Sequence, residues 1–131
     1  MMNSLVLNNG LLSLLNRAGT AADLPRPFAR DILLLECHIA GTSYLDLSTI
    51  EPVLRAGDEL TLSREPDNEH DNLAIQILTA SGAHLGYVPR AKNEPLARLM
   101  DAGKFLLSKL TEKSRENRWL KINVQIFMRE M

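Results

Sequence analysis

Residues 119 to 127 read Trp-Leu-Lys-Ile-Asn-Val-Gln-Ile-Phe, with Leu120, Ile122, Val124 and Ile126 alternating without a break against Lys121, Asn123 and Gln125. Successive side chains of an extended chain point to opposite faces, so this strict period of two predicts a strand with one buried and one wet face. A chain of 131 residues is long enough for one core and short for two. The strand must therefore find its partners inside the same small domain.

Candidate partners are spread along the chain. Residues 32 to 39 form a short apolar run closed by Ala40-Gly41, and its length favours a largely buried strand over a helix. Residues 59 to 64 alternate polar with apolar. Residues 74 to 78 and 85 to 88 flank Ala80-Ser81-Gly82-Ala83, the pattern of an antiparallel hairpin. Residues 105 to 110 add a further strand. Helical spacing appears twice. Leu47, Ile50, Val53 and Leu54 follow Asp46 and Ser48, either of which can cap a short helix. Leu96, Leu99 and Met100 follow Lys92-Asn93-Glu94-Pro95, with Gly103 as the stop, the placement that proline and glycine prefer at helix ends. Five or six strands with one or two short helices, and no strand-then-helix repeat, predict a mainly β domain built as a small antiparallel barrel.

Composition excludes several classes. A hydrophobic fraction of 45% with 24% charged residues is that of a globular chain, and no apolar run approaches the roughly 18 residues that span a bilayer. No membrane is expected as a partner. The net charge of -1 gives no global attraction for nucleic acid, so any such binding must be local. Basic residues gather in the last thirty (Lys104, Lys109, Lys113, Arg115, Arg118, Lys121 and Arg129), interspersed in a way that reads as a solvated face. With Cys37 as the single cysteine, neither an intrachain disulfide nor a multi-thiolate zinc site can form, which suits a reducing compartment. Residues 1 to 27 contain Leu5, Leu7, Leu11, Leu12, Leu14 and Leu15, then Pro25 and Pro27 in a polar connector. The spacing of residues 1 to 18 is compatible with a short helix, the segment lacks the basic start of a secretory leader, and the folded domain is expected from residue 28. A cytoplasmic protein is expected.

The most informative stretch is Arg64-Glu65-Pro66-Asp67-Asn68-Glu69-His70-Asp71, a loop more polar than a connection requires. Asn68 and Asp71 can accept backbone N–H bonds and brace it, while Arg64 can pair with one of its four carboxylates. Gly86-Tyr87-Val88-Pro89-Arg90 then sets an aromatic and a cation at the end of a hairpin strand. Tyr87 also fits as half-buried packing, and Arg90 as a surface cation beside Glu94.

The pattern Arg64-Glu65-Pro66-x-Asn68-x-x-Asp71-x-x-Ala74-Ile75, then Gly82, Gly86-Tyr87-Val88-Pro89-Arg90, then Leu96-Ala97-x-Leu99-x-Asp101-x-Gly103 resembles the HIRAN domain. The resemblance covers about residues 32 to 128. It implies an OB-like β-barrel and, as in the helicase-like transcription factor family, a grip on the three-prime end of single-stranded DNA in repair or replication. By that resemblance Asp71 accepts from the terminal hydroxyl, Asn68 and His70 shape the pocket, Tyr44 stacks on or flanks a base, and Tyr87 and Arg90 line the remaining wall. Thr42-Ser43 stands where DNA-binding relatives carry a basic and an aromatic residue. Helicase or repair enzymes encoded separately are the implied partners. The ATPase and RING modules of larger relatives have no counterpart in these residues.

No catalytic group, cofactor or metal is expected. The chain has no phosphate-binding glycine loop and no nucleophile elbow, and Cys37 and His38 point to opposite faces of one strand. A second reading makes the chain a protein-interaction module that self-associates through residues 1 to 27. Under that reading, deleting the segment lowers the mass measured by light scattering; an unchanged mass with unchanged DNA binding removes it.

Overall fold

The computed structural model describes residues 30–130. The expected leading helix, the connector and the domain start at residue 28 lie outside them. Six strands make one antiparallel sheet: β1 Arg30–His38, β2 Glu59–Arg64, β3 Ile75–Leu78, β4 His84–Tyr87, β5 Phe105–Glu116 and β6 Trp119–Glu130, in the spatial order β1-β6-β5-β2-β3-β4. Helix α1, Asn93–Asp101, lies between β4 and β5. This is the mainly β architecture that the periodicities predict, in the OB-like form that the resemblance implies.

The alternating strand is an interior strand of its sheet, paired on both sides by β1 and β5. Its even residues, Leu120, Ile122, Val124 and Ile126, are all buried. They meet Leu60, Ile75, Ile77, Leu85 and Leu110 from the other strands, with Leu96 and Ala97 of α1 packed against the same core. Burying each such side chain contributes roughly 1.5–3 kcal/mol. Gly103, at φ +91°, ends α1: its N–H reaches the Met100 carbonyl, and that of Lys104 reaches the Leu99 carbonyl, the paired closure typical of a glycine-terminated helix.

Irregular register appears between Leu33 and Leu35, between Ile77 and Leu78, and between Leu110 and Glu112. Such bulges bend and twist a strand. The curled sheet returns on itself: Ala40, just past β1, exchanges two backbone hydrogen bonds of 2.8 and 2.9 Å with Tyr87 at the end of β4. Ile39 stays attached to the other neighbour through the Ile122 carbonyl at 2.8 Å. The strand order thus closes through one two-bond bridge.

Two expectations are corrected. Residues 47 to 54 form turns and a single 3-10 turn, Glu51–Val53, instead of a helix. Asp46 turns inward on its own segment, taking the N–H and hydroxyl of Ser48, and Pro52 interrupts what would be the helical ladder. Strand β5 also runs beyond residue 110, to Glu116. Its outer half is polar and leaves the core as a two-stranded ribbon with β6, so no apolar alternation marks it.

Closure depends on Gly86, whose φ is +142° and where an added Cβ would lie 2.4 Å from the Ala40 carbonyl oxygen and 2.6 Å from Ile39 Cγ2. Gly86→Ala is expected to destabilise the fold by about 2–3 kcal/mol, against about 1 kcal/mol for Gly82→Ala, where only the positive φ is strained. Urea denaturation followed by circular dichroism checks the difference; equal midpoints would show that the close approach carries no weight.

Candidate nucleic-acid interface

The polar loop between β2 and β3 lies beside this closure, because Gln76 of β3 pairs with Tyr87. The loop is held by its own side chains. Asn68 Oδ1 accepts the N–H groups of His70 and Asp71 at 2.9 and 3.0 Å, and the Asn68 amide donates to Glu65 Oε1 at 3.0 Å. The same Glu65 oxygen accepts the Tyr87 hydroxyl at 2.7 Å. Asp71 Oδ1 takes the Leu73 N–H at 2.9 Å, and Oδ2 takes the side-chain amide of Asn93 at 2.8 Å. Arg90 places its guanidinium 3.6 Å from Asp71 Oδ2 and donates to the His70 carbonyl. Loop, hairpin end and helix start are therefore one hydrogen-bonded corner.

Among the anticipated residues, Asn68, His70, Asp71, Tyr87 and Arg90 converge here. Asn68 is committed to bracing. The His70 ring and the Arg90 side chain face solvent. A carboxylate offers about four lone-pair sites, so Asp71 retains acceptor capacity beyond its two bonds to the fold.

Tyr44 stands on a separate 3-10 turn, Thr42–Tyr44, and is 89% exposed. That turn is anchored by buried Thr42, whose hydroxyl donates to the Leu120 carbonyl at 2.7 Å. Thr42 is thus a structural peg. Its bond sets the Tyr44 turn against the start of β6, where Trp119 is 36% exposed. His38 meets the Trp119 ring edge-on at 5.8 Å between centroids, and the Lys121 ammonium lies 5.7 Å from the ring centre. His38 and Lys121 also line an open groove of about 560 Å³ over β1 and β6, together with Glu36, Asn123, Gln125 and Lys92. Lys92 belongs to the 3-10 turn that begins at Arg90. The groove is thus lined by His38 and Lys121, which both contact Trp119, and by Lys92, two residues along the chain from Arg90.

One expected ion pair is replaced. Arg64 grips Asp101 through bonds of 2.9 and 3.1 Å and donates to the Asn72 and Ala74 carbonyls, tying the loop's far end to α1 instead of pairing inside the loop. Asp67 and Glu69 face solvent, while Glu65 and Asp71 are already engaged. Glu94 pairs with Arg98 one helical turn away, leaving Arg90 to the loop. Sequence reasoning also missed Asn93, only 2% exposed, and the outward set of Trp119 and Lys121, whose signal was the wet phase of the alternating strand. Among the described residues, no three His, Cys, Asp or Glu side chains converge to hold a metal ion. Burial pushes the Cys37 thiol up to about 11, so it is not a thiolate at neutral pH.

The corner is built on ionised carboxylates. The Leu73 N–H, then the Asn93 amide and the Arg90 charge, hold Asp71 below the usual carboxylate range. Asn68 and then Tyr87 do the same for Glu65, whose carboxylate in turn raises the Tyr87 phenol. Arg64 lowers Asp101.

A small antiparallel OB-like barrel with a braced polar loop and an exposed aromatic edge is the class these features define. The chain belongs to the HIRAN domain family, which it matches over residues 32–131. It is similar to a crystal structure of a protein from Lactobacillus plantarum, with a TM-score of 0.72 and 29% identity over 79% of this chain and 99% of that one. The crystal structure of the HIRAN domain of human HLTF gives a TM-score of 0.60, with 20% identity over 76% of this chain and 78% of that chain. The NMR structure of the HLTF HIRAN domain in its DNA-bound conformation gives 0.55, with the same identity and coverage. No curated protein sequence matches this chain.

Because the folded values of Asp71, Glu65 and Asp101 are depressed, their contribution to stability is complete above the unfolded carboxylate range and is lost as pH falls through the folded values. Thermal midpoints are expected to fall as pH drops below the ordinary carboxylate range and through the depressed folded values, and Asp101→Asn should reduce that slope. A slope unchanged in the variant would sink the assignment to Arg64–Asp101.

Proposed function

We propose that residues 28 to 131 act as a nucleic-acid-binding module that recognises the three-prime hydroxyl end of single-stranded DNA, in a repair or replication setting alongside separately encoded helicase or repair enzymes. The observation that carries this reading is the corner where Arg90 lies against Asp71, joined through Asn68 and Glu65 to the Tyr87 hydroxyl, together with the exposed Trp119 ring beside His38 and Lys121. A strand terminus presents a hydroxyl that donates, a phosphate just behind it and a base with an open face. Those three groups call for an acceptor, a cation and a ring.

Asp71 supplies the acceptor with its remaining lone pairs, Arg90 a solvent-facing cation, and Asn68, His70 and Tyr87 the walls. Tyr44 and Trp119 are the rings. Stacking contributes about 1–3 kcal/mol per base, enough for weak binding by a chain whose net charge is -1. Membership in a family with a DNA-bound member, the HLTF HIRAN domain, supports the ligand class. The reading includes no catalytic step, and the single half-buried thiol of Cys37 is in keeping with a cytoplasmic setting.

Fluorescence anisotropy with a three-prime-hydroxyl oligonucleotide and its three-prime-phosphorylated counterpart is expected to favour the hydroxyl. Asp71→Ala should abolish the preference, and Trp119→Ala should lower affinity for both by about tenfold. Thermal melting confirms that each variant is folded, and Arg90→Ala tests the same corner from the solvent side. Equal affinities for the two ends in the wild type would remove end recognition.

A further inference from the structure

We propose that the groove over β1 and β6 holds the strand's internal phosphates, through Lys92 and Lys121, one or more nucleotides before the terminus. This deepens the function proposed above and rests on it. Interspersed charge in the C-terminal third reads from sequence as a solvated face, yet the fold singles out Lys121. It brings this residue, from the wet phase of β6, to the same groove as Lys92 from the turn before α1. Neither ammonium takes part in a salt bridge among the described residues. Arg55, Lys104, Lys109 and Arg118 are likewise outside the salt bridges of the described residues, but none of them lines this groove; Lys92 and Lys121 are its two cations.

Two unmatched cations facing open space from different elements attract an extended polyanion in a way that scattered, paired charges do not. The carboxylate in the groove is Glu36, and its Oε2 is already bonded by the Gln125 amide at 2.8 Å. Position suits the role as well. Lys92 follows Arg90 by two residues, and Lys121 lies over the Trp119 ring. Asn123 and Gln125 add amides along the floor. The class of ligand is therefore a single strand longer than its terminal residue, gripped electrostatically along the groove and chemically at the end.

The test is a salt titration of oligonucleotide affinity for the full chain and for Lys92→Gln/Lys121→Gln. For single strands the logarithm of the binding constant falls with the logarithm of salt by roughly 0.7 per neutralised phosphate. The double variant is expected to flatten the slope by about 1.4, to lose its advantage for a hexanucleotide over a dinucleotide, and to keep its preference for a three-prime hydroxyl over a three-prime phosphate. A wild-type slope and length dependence in a folded double variant would overturn the groove assignment while leaving end recognition standing. Failure of the unaltered chain to bind any oligonucleotide would overturn both.

Discussion

The two backbone hydrogen bonds between Ala40 and Tyr87 are the contact on which the rest depends. They join the chain leaving β1 to the free edge of β4, and so convert a six-stranded sheet with two distant edges into a curled barrel. Paired edges matter in a small β domain, since an unpaired strand edge is a template for association. The bond geometry demands that Gly86 lie directly against Ala40, where no side chain fits. One absent methyl group thus governs both closure and the position of everything attached to the two strands.

What is attached is the candidate site. Tyr87 carries the closure on its backbone and reaches Glu65 with its hydroxyl, so barrel and loop share a residue. Asn93 and Arg64 tie the same loop to the two ends of α1, the first through Asp71 and the second through Asp101. A loop clamped at several points loses little further conformational freedom on meeting a ligand, which favours affinity from few contacts. Polarity in residues 65 to 71 therefore has two uses. Asn68 and Glu65 spend their hydrogen-bonding capacity inward, while His70, Arg90 and part of Asp71 remain available outward.

Legibility followed the length scale of the forces. The hairpin of β3 and β4, the alternation of β6 and the glycine end of α1 were readable because each is dictated by neighbours a few residues apart. The polar half of β5 was not, because its pairing is carried by backbone groups that leave no hydrophobic imprint. Within the site, Asn68 was read correctly as a brace, its partners lying two and three residues away. Arg64 was matched to the loop's own carboxylates and pairs with Asp101 instead. Several acids of equal chemistry stood near it in sequence, and only the path of the chain selects among them.

The amino-acid sequence by itself determined a mainly β domain, its strand phases and a polar loop with the family's spaced residues, since periodicity and turn chemistry act locally. Tertiary structure alone decided which strand edges meet, that Arg64 holds α1, that buried Asn93 supports Asp71, and that Trp119, His38, Lys92 and Lys121 share one side of the barrel. The physical reason is that these contacts join residues from about twenty to eighty positions apart. Their meeting depends on how far the sheet curls before its edges pair, a property of the whole core that no short window of residues encodes.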